Sequence, residues 1–184
     1  MKITISTYDD SWPAAFIQIR HLLESSLSSP YVSIEHIGST SVPGLCAKPI
    51  IDIDIMVNEK GEKIPIIIDL KKLGYKHVGD LGIIGREAFR PTGELLELPK
   101  HNLYLMETDN IAWVNHRLLR DQLRANAEDR DRYAQLKRDL AKKYPEDIDA
   151  YIEGKSEFIL KVLSESEMDM VALNIIRAQN KKPQ

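Results

Sequence analysis

Cysteine is nearly absent from this chain: Cys46 is the only one in 184 residues. No internal disulfide can form and no cysteine-based zinc cage can be built, so chemistry must come from carboxylates, histidines, hydroxyls and backbone amides. Long apolar runs are missing too. Apolar runs such as 66–68 fall far short of the roughly 20 residues that span a bilayer, and the first residues lack the basic stretch and apolar core of a secretory signal. The expectation is a soluble, cytoplasmic protein without membrane contact. Positive charge is not in excess either. A formal net charge of −3 argues against bulk nucleic-acid binding, which needs many lysines and arginines on one face. It leaves room for a small basic pocket around one nucleotide.

What is present describes an ordinary folded domain. A hydrophobic content of 43% with no repeat or low-complexity tract supports one good core, and the length is too short for two. The expected division is one domain over 1–163, with 164–184 as a C-terminal helix and tail packed on it or extending from it. Residues 3–8 read as a short strand or extended arm. Asp9 to Ser11 and Pro13 then start a helix whose stripe is Phe16, Ile19, Leu22, Leu23 and Leu27. Tyr31 to Ile37 predicts a strand that stops at Gly38, and the hydroxyl-rich stretch to Leu45 predicts a loop or one short helical turn.

Further strands are expected over 49–57, 75–78, 86–90 and 100–106, with a helix over 62–73. The rest reads as helix: 113–124, a segment capped by Asn126 with the stripe Tyr133, Leu136 and Leu140, then 148–163 after Pro145, and 167–178. Strands first and helices later predict an α+β fold, a mixed sheet with flanking helices and a helical C-terminal part. Lys181, Lys182, Pro183 and Gln184 read as a frayed tail.

Chemistry concentrates in the stretch from Gly38 to Asp54. Transfer from a nucleoside triphosphate needs donors for phosphate oxygens and a divalent metal that bridges them. Gly38 lets a turn bring backbone amides close to an anion, and Ser39, Thr40 and Ser41 add hydroxyls. The chain returns as a strand on which Asp52 and Asp54, two residues apart, point to one face and can hold magnesium. The alternative is that both lie on the solvent face of a half-exposed strand. Lys48 could pair with a phosphate or be a solvated strand end. Arg86 and Arg90 share a face and could clamp an anion, or be surface charge. The charges from Arg117 to Lys143 alternate in sign at helical spacing and predict a solvated, salt-bridged face.

The run His36-Ile37-Gly38-Ser39-Thr40-Ser41-Val42-Pro43-Gly44-Leu45, continued by Ala47-Lys48-Pro49-Ile50-Ile51-Asp52, resembles the hallmark of GrpB-type proteins. Matches at 8–12, 101–105, 119–124, 133–140 and 151–158 extend the likeness over nearly the whole chain to about Leu160. The resemblance implies a nucleotidyltransferase-like fold, usually without an assigned substrate; the residues themselves point to a nucleoside triphosphate as substrate or ligand and Mg2+ on Asp52 and Asp54. Gly38, Ser39, Thr40, Ser41, Lys48, Arg86, Arg90, Asn102 and Lys137 are the candidate nucleotide-binding residues. The superfamily pattern asks for a third carboxylate on a neighbouring strand. Here that strand reads His101-Asn102-Leu103-Tyr104-Leu105, so His101 is the candidate catalytic residue beside the two aspartates, and Glu87 a substitute acid or an ion-pair partner of its arginines. Three readings follow: a nucleotidyltransferase acting on an unidentified acceptor; a nucleotide- or metabolite-binding module without turnover; or an interaction or folding-assistance domain, since some relatives are fused to a dephospho-coenzyme A kinase domain.

Overall fold

A computed structural model describes residues 2–166 and 168–179; the terminal tail expected from Lys181 lies outside them. The N-terminal arm is extended and is tied down by an isolated bridge between Ser6 and Ala47. Helix α1 (Trp12–Ser26) has Pro13 in its first turn, where a missing amide costs little. Asp9 accepts a 2.8 Å bond from the Ser11 amide just before it.

The sheet is built from β1 (Ser33–Ile37), β2 (Ile51–Val57), β3 (Tyr75–His77), β4 (Glu87–Pro91) and β5 (His101–Glu107). Its order is β1-β2-β5-β4-β3. β2 and β5 run parallel, whereas β1 on β2, β4 on β5 and β3 on β4 are antiparallel. The sheet is therefore mixed, as expected. Helix α2 (Lys63–Leu73) supplies the connection after β2 and ends at Gly74, which takes the left-handed conformation that glycine adopts without penalty.

Alternation sorts β2 onto two faces. Ile51, Ile53 and Ile55 join Leu103, Leu105 and Phe89 in one core, packed with Ile19 and Leu23 of α1 and Ile66 and Leu70 of α2. Burying each such side chain contributes roughly 2 kcal/mol. The opposite face carries Asp52, Asp54 and Met56, and over it lies α3 (Ile111–Ala125), whose His116 and Arg120 reach Asp54 and Glu35. Asn110 caps α3, and Asn126 caps α4 (Ala127–Lys143), as its sequence predicted.

The single helix expected over 148–163 is two: α5 (Ile148–Glu153) and α6 (Ser156–Ser164). The break falls at Gly154, where a Cβ would stand 2.4 Å from Leu140 Cδ2. A larger residue there would have to displace the tip of Leu140, and just beyond the break Lys155 lines a cavity that Asp52 also lines. Helix α7 (Met170–Gln179) starts later than its pattern suggested, with Asp169 accepting from the Ala172 amide. It packs on α6 through Leu160, Leu163, Leu173 and Ile176. Among the described residues no helix is long and apolar enough to cross a membrane.

Candidate functional site

The site forms where the turn after β1 meets the start of β2. Gly38 has φ +69°, and a Cβ on it would stand 2.4 Å from Asp52 Oδ2. Only glycine lets the turn settle onto that carboxylate. The turn continues as a short 3-10 stretch, Ser39–Ser41. Asp52 Oδ1 accepts a 2.8 Å bond from Asn102 Nδ2, the residue directly opposite on β5. Burial pushes the Asp52 carboxyl pKa up and Asp54 adds to that, against the Asn102 bond and the charges of His116 and Lys48.

Asp54, fully buried, keeps a counter-ion that its sequence neighbourhood does not reveal. His116 Nδ1 lies 2.8 Å from Asp54 Oδ2. Burial opposes charging of the imidazole, but Asp54 and Asp52 together outweigh it and hold its pKa above the ordinary value. Asp54 Oδ1 is buried with no hydrogen-bond partner. Beside it, Tyr104 stands in register with Asp54, and the Arg86 guanidinium lies 4.5 Å from the Tyr104 ring centre. Burial lowers the Arg86 pKa although Tyr104 and Asp54 favour its charge. Arg86 Nε is likewise buried and unpartnered.

A cavity of about 170 Å³ opens between Gly38, Ser39, Asp52, His116, Tyr133 and Lys155. Small-molecule pockets commonly run from about 300 Å³ upward, so this space suits a phosphate group better than a whole nucleotide. Besides His116, Arg120 and Lys155 are its basic residues; Arg120 is paired with Glu35 and Asp121, whereas Lys155 forms no ion pair among the described residues. Burial and the nearby Lys48 lower its pKa to about 8, while Asp52 pulls the other way.

The sequence-predicted residues divide. Gly38, Ser39, Asp52, Asp54, Asn102, Arg86 and Arg90 come together on one side of the sheet; Arg90 donates to Asn102 Oδ1 at 3.1 Å. His101 does not join them. It stands opposite Ile51, which directs it to the apolar face, and there its two ring nitrogens meet the Tyr75 hydroxyl and the Pro99 carbonyl, each at 2.7 Å. Burial lowers its pKa. Its role is structural. Glu87 is also on that far side, paired with His77 at 2.7 Å and 4.0 Å from Lys63, so it is no third acid for the aspartates.

Thr40 is buried against His36 Nε2 at 3.0 Å, and Ser41 Oγ donates to Gly38 O at 2.6 Å. Both hydroxyls brace the turn. Lys137 is buried and donates to the Cys46 carbonyl, with its pKa pushed down to about 7 by burial; it holds the loop before Lys48 and does not line the cavity. Arg120 and Arg124 depart from the solvated face expected of their helix. Arg120 bonds Glu35 and the His36 carbonyl, and Arg124 binds the Ser41 carbonyl twice, at 3.0 and 2.8 Å.

His116, Arg120, Tyr133 and Lys155 were missed by sequence reasoning. For Arg120, Tyr133 and Lys155 the one available signal was that 119–124, 133–140 and 151–158 belong to the family-like stretches; His116 lies outside them.

Residues fitting a divalent ion can be tested on this geometry. Magnesium is usually held by one or two carboxylates plus substrate phosphates. Asp52 and Asp54 with the orphaned Asp54 Oδ1 match that donor set. No group of three or more His, Cys, Asp or Glu suited to a metal occurs among the described residues, so a magnesium ion here would need phosphate oxygens to complete its shell.

The architecture has solved counterparts. A structure of the poly(U) polymerase Cid1 with MgGTP bound superposes with a TM-score of 0.53 at 14% identity, covering 74% of this chain and 44% of that one. The fold is nucleotidyltransferase-like. A closer likeness is the crystal structure of GrpB from Enterococcus faecalis, with a TM-score of 0.75 at 32% identity over 93% of this chain and 98% of that chain. Residues 2–165 match the family described as GrpB protein, and the chain belongs to that family. The glutamate-rich protein GrpB of Alkalihalophilus pseudofirmus is 33% identical over 89% of this chain and 95% of its own length. YqkA of Bacillus subtilis is 36% identical over 86% of this chain, which spans only 45% of YqkA.

Proposed function

We propose that the chain binds a nucleoside triphosphate together with Mg2+ and transfers its nucleotidyl group to an acceptor. The observation that carries this reading is the contact between the Gly38 turn and Asp52, with Asp54 on the same face and its Oδ1 unpartnered. The Gly38–Ser39 turn sits against Asp52, and Lys155 lines the same small cavity, with Asp54 buried behind it. Ser39 and Lys155 take phosphate oxygens, while Asp52 and Asp54 hold the metal. When bound, the metal supplies charge neutralisation across the phosphates. In the reaction an acceptor hydroxyl oxygen bonds to the α-phosphorus and its proton passes to water, while the bond from that phosphorus to the bridging oxygen breaks with its electron pair and pyrophosphate leaves. Asn102 fixes the Asp52 carboxylate through Oδ1.

Calorimetric titration with ATP, GTP, CTP and UTP in magnesium tests the binding. Heat with at least one of them is expected, and its loss in Asp52→Asn and Asp54→Asn. Silence from folded protein with all four overturns the reading.

A second reading, a module that binds without turnover, is favoured by the amide of Asn102 opposite Asp52 and by the His116 imidazole on Asp54. It predicts labelled nucleotide that binds yet releases no pyrophosphate with any acceptor in a broad screen.

A further inference from the structure

A second cavity, of about 430 Å³, lies between the N-terminal arm, the approach to β2 and the start of α5. Its apolar wall is Ile3, Ile50 and Ile148; its cationic residues are Lys2, Lys48 and Lys100, with Glu146 the single carboxylate lining it. The arm that closes it is fixed: Ile3 donates to the Pro145 carbonyl at 2.7 Å, and Ser6 exchanges backbone bonds with Ala47. The cavity is thus formed before any ligand arrives.

Charge says what it suits. None of the three lysines forms an ion pair among the described residues. Lys48 instead stands 5.8 Å from the Tyr151 ring centre, and Lys155 stands 4.7 Å from the same centre. Two ammonium groups gathered at one buried ring repel each other; burial and that repulsion lower the Lys155 pKa, and the Asp52 carboxylate offsets them only in part. An anion placed beside Lys48 relieves the repulsion; a cation makes it worse. The apolar wall asks for a hydrocarbon body behind that anion.

We infer that this cavity is a binding site for a small amphipathic anion, a carboxylate carried on an apolar chain, with Lys48 and Lys100 holding the carboxylate and Ile3, Ile50 and Ile148 the chain. The site is separate from the phosphate cavity and does not depend on the nucleotide reading.

The probe is sodium octanoate, titrated into the full chain without nucleotide or magnesium and followed by amide chemical shifts. Saturable shifts are expected at Ile3, Ile50 and Ile148, and none of that kind with octylammonium, which has the same tail and the opposite charge. The double variant Lys48→Gln/Lys100→Gln weakens octanoate binding by about a hundredfold, the scale of losing two charge-assisted hydrogen bonds. Ile148→Trp keeps the lysines and fills the cavity, so it abolishes the shifts even if the double variant does not fold. Absent shifts at millimolar octanoate, equal shifts with octylammonium, shifts centred on Gly38 and Ser39, or binding undiminished in Ile148→Trp each overturn the proposal. Because no nucleotide is present, such a failure is distinct from failure of triphosphate binding.

Discussion

The two faces of the five-stranded sheet are made by the same strands and obey opposite rules. Toward α1 and α2, Ile51, Ile53, Ile55, Leu103 and Leu105 interlock, and the polar groups on that side are satisfied locally, as His101 is by Tyr75 and Pro99. Toward α3, Asp52, Asp54, Asn102 and Tyr104 stand in register, and Asp54 Oδ1 and Arg86 Nε are left unpartnered. Buried polar atoms without partners cost stability. One face supplies the folding free energy, and the other spends some of it on a prepared arrangement of charge. Such a division is common where a site needs groups poised for a ligand.

The comparison breaks most visibly if the apolar face proves dispensable. Ile53→Ala should lower stability by about 3 to 4 kcal/mol in urea unfolding, since it empties space in a fully packed layer. Next in size is acid. Burial, helped by Arg124 and Arg120, depresses the His36 pKa to about 4. From pH 6.5 down to about 4 the unfolded chain takes up a proton that the folded chain refuses, so stability falls with pH by about 3 kcal/mol. The Asp54–His116 pair has the opposite sign: its contribution is present below pH 6.5 and is lost as pH rises through the raised His116 pKa. Unfolding across pH in wild type, His36→Gln and His116→Gln separates the two limbs, and parallel profiles for all three would defeat the assignment.

Gly38→Ala should cost about 2 kcal/mol, from a positive φ and the contact with Asp52, and should also remove nucleotide heat. The smallest effect on stability sharpens the contrast most. Asp52→Asn removes a carboxylate whose pKa burial has raised, so thermal unfolding should move by less than about 1 kcal/mol in either direction while nucleotide binding disappears. A large loss of stability would mean that Asp52 is structural.

Much of this was legible from the residues. Alternation in 50–57 placed two acids on one face and isoleucines on the other, and the helix start at Asn126 follows from a side chain that caps, whereas the cap at Asn110, which starts α3 two residues before the expected 113, was not read. The turn at Gly38 was readable because glycine before a run of hydroxyls has few other uses. His101 was misread because a strand's own alternation does not say which of its faces meets the acids. Arg120 and Arg124 were misread because alternating charge along a helix usually means solvent, whereas here the partners are backbone carbonyls of the β1 turn. The break at Gly154 was invisible because the side chain it packs against, Leu140, is on another helix.

Local periodicity and turn chemistry, which act over a few residues, sufficed for the sequence to determine the order of strands and helices, the acidic and apolar faces of β2, and the need for glycine at residue 38. Tertiary structure alone decided that His116 neutralises Asp54, that Lys155 faces Ser39, and that His101 stands with the apolar core. Those outcomes depend on strand register and helix packing, where residues far apart in the chain share one dielectric environment and set one another's charge.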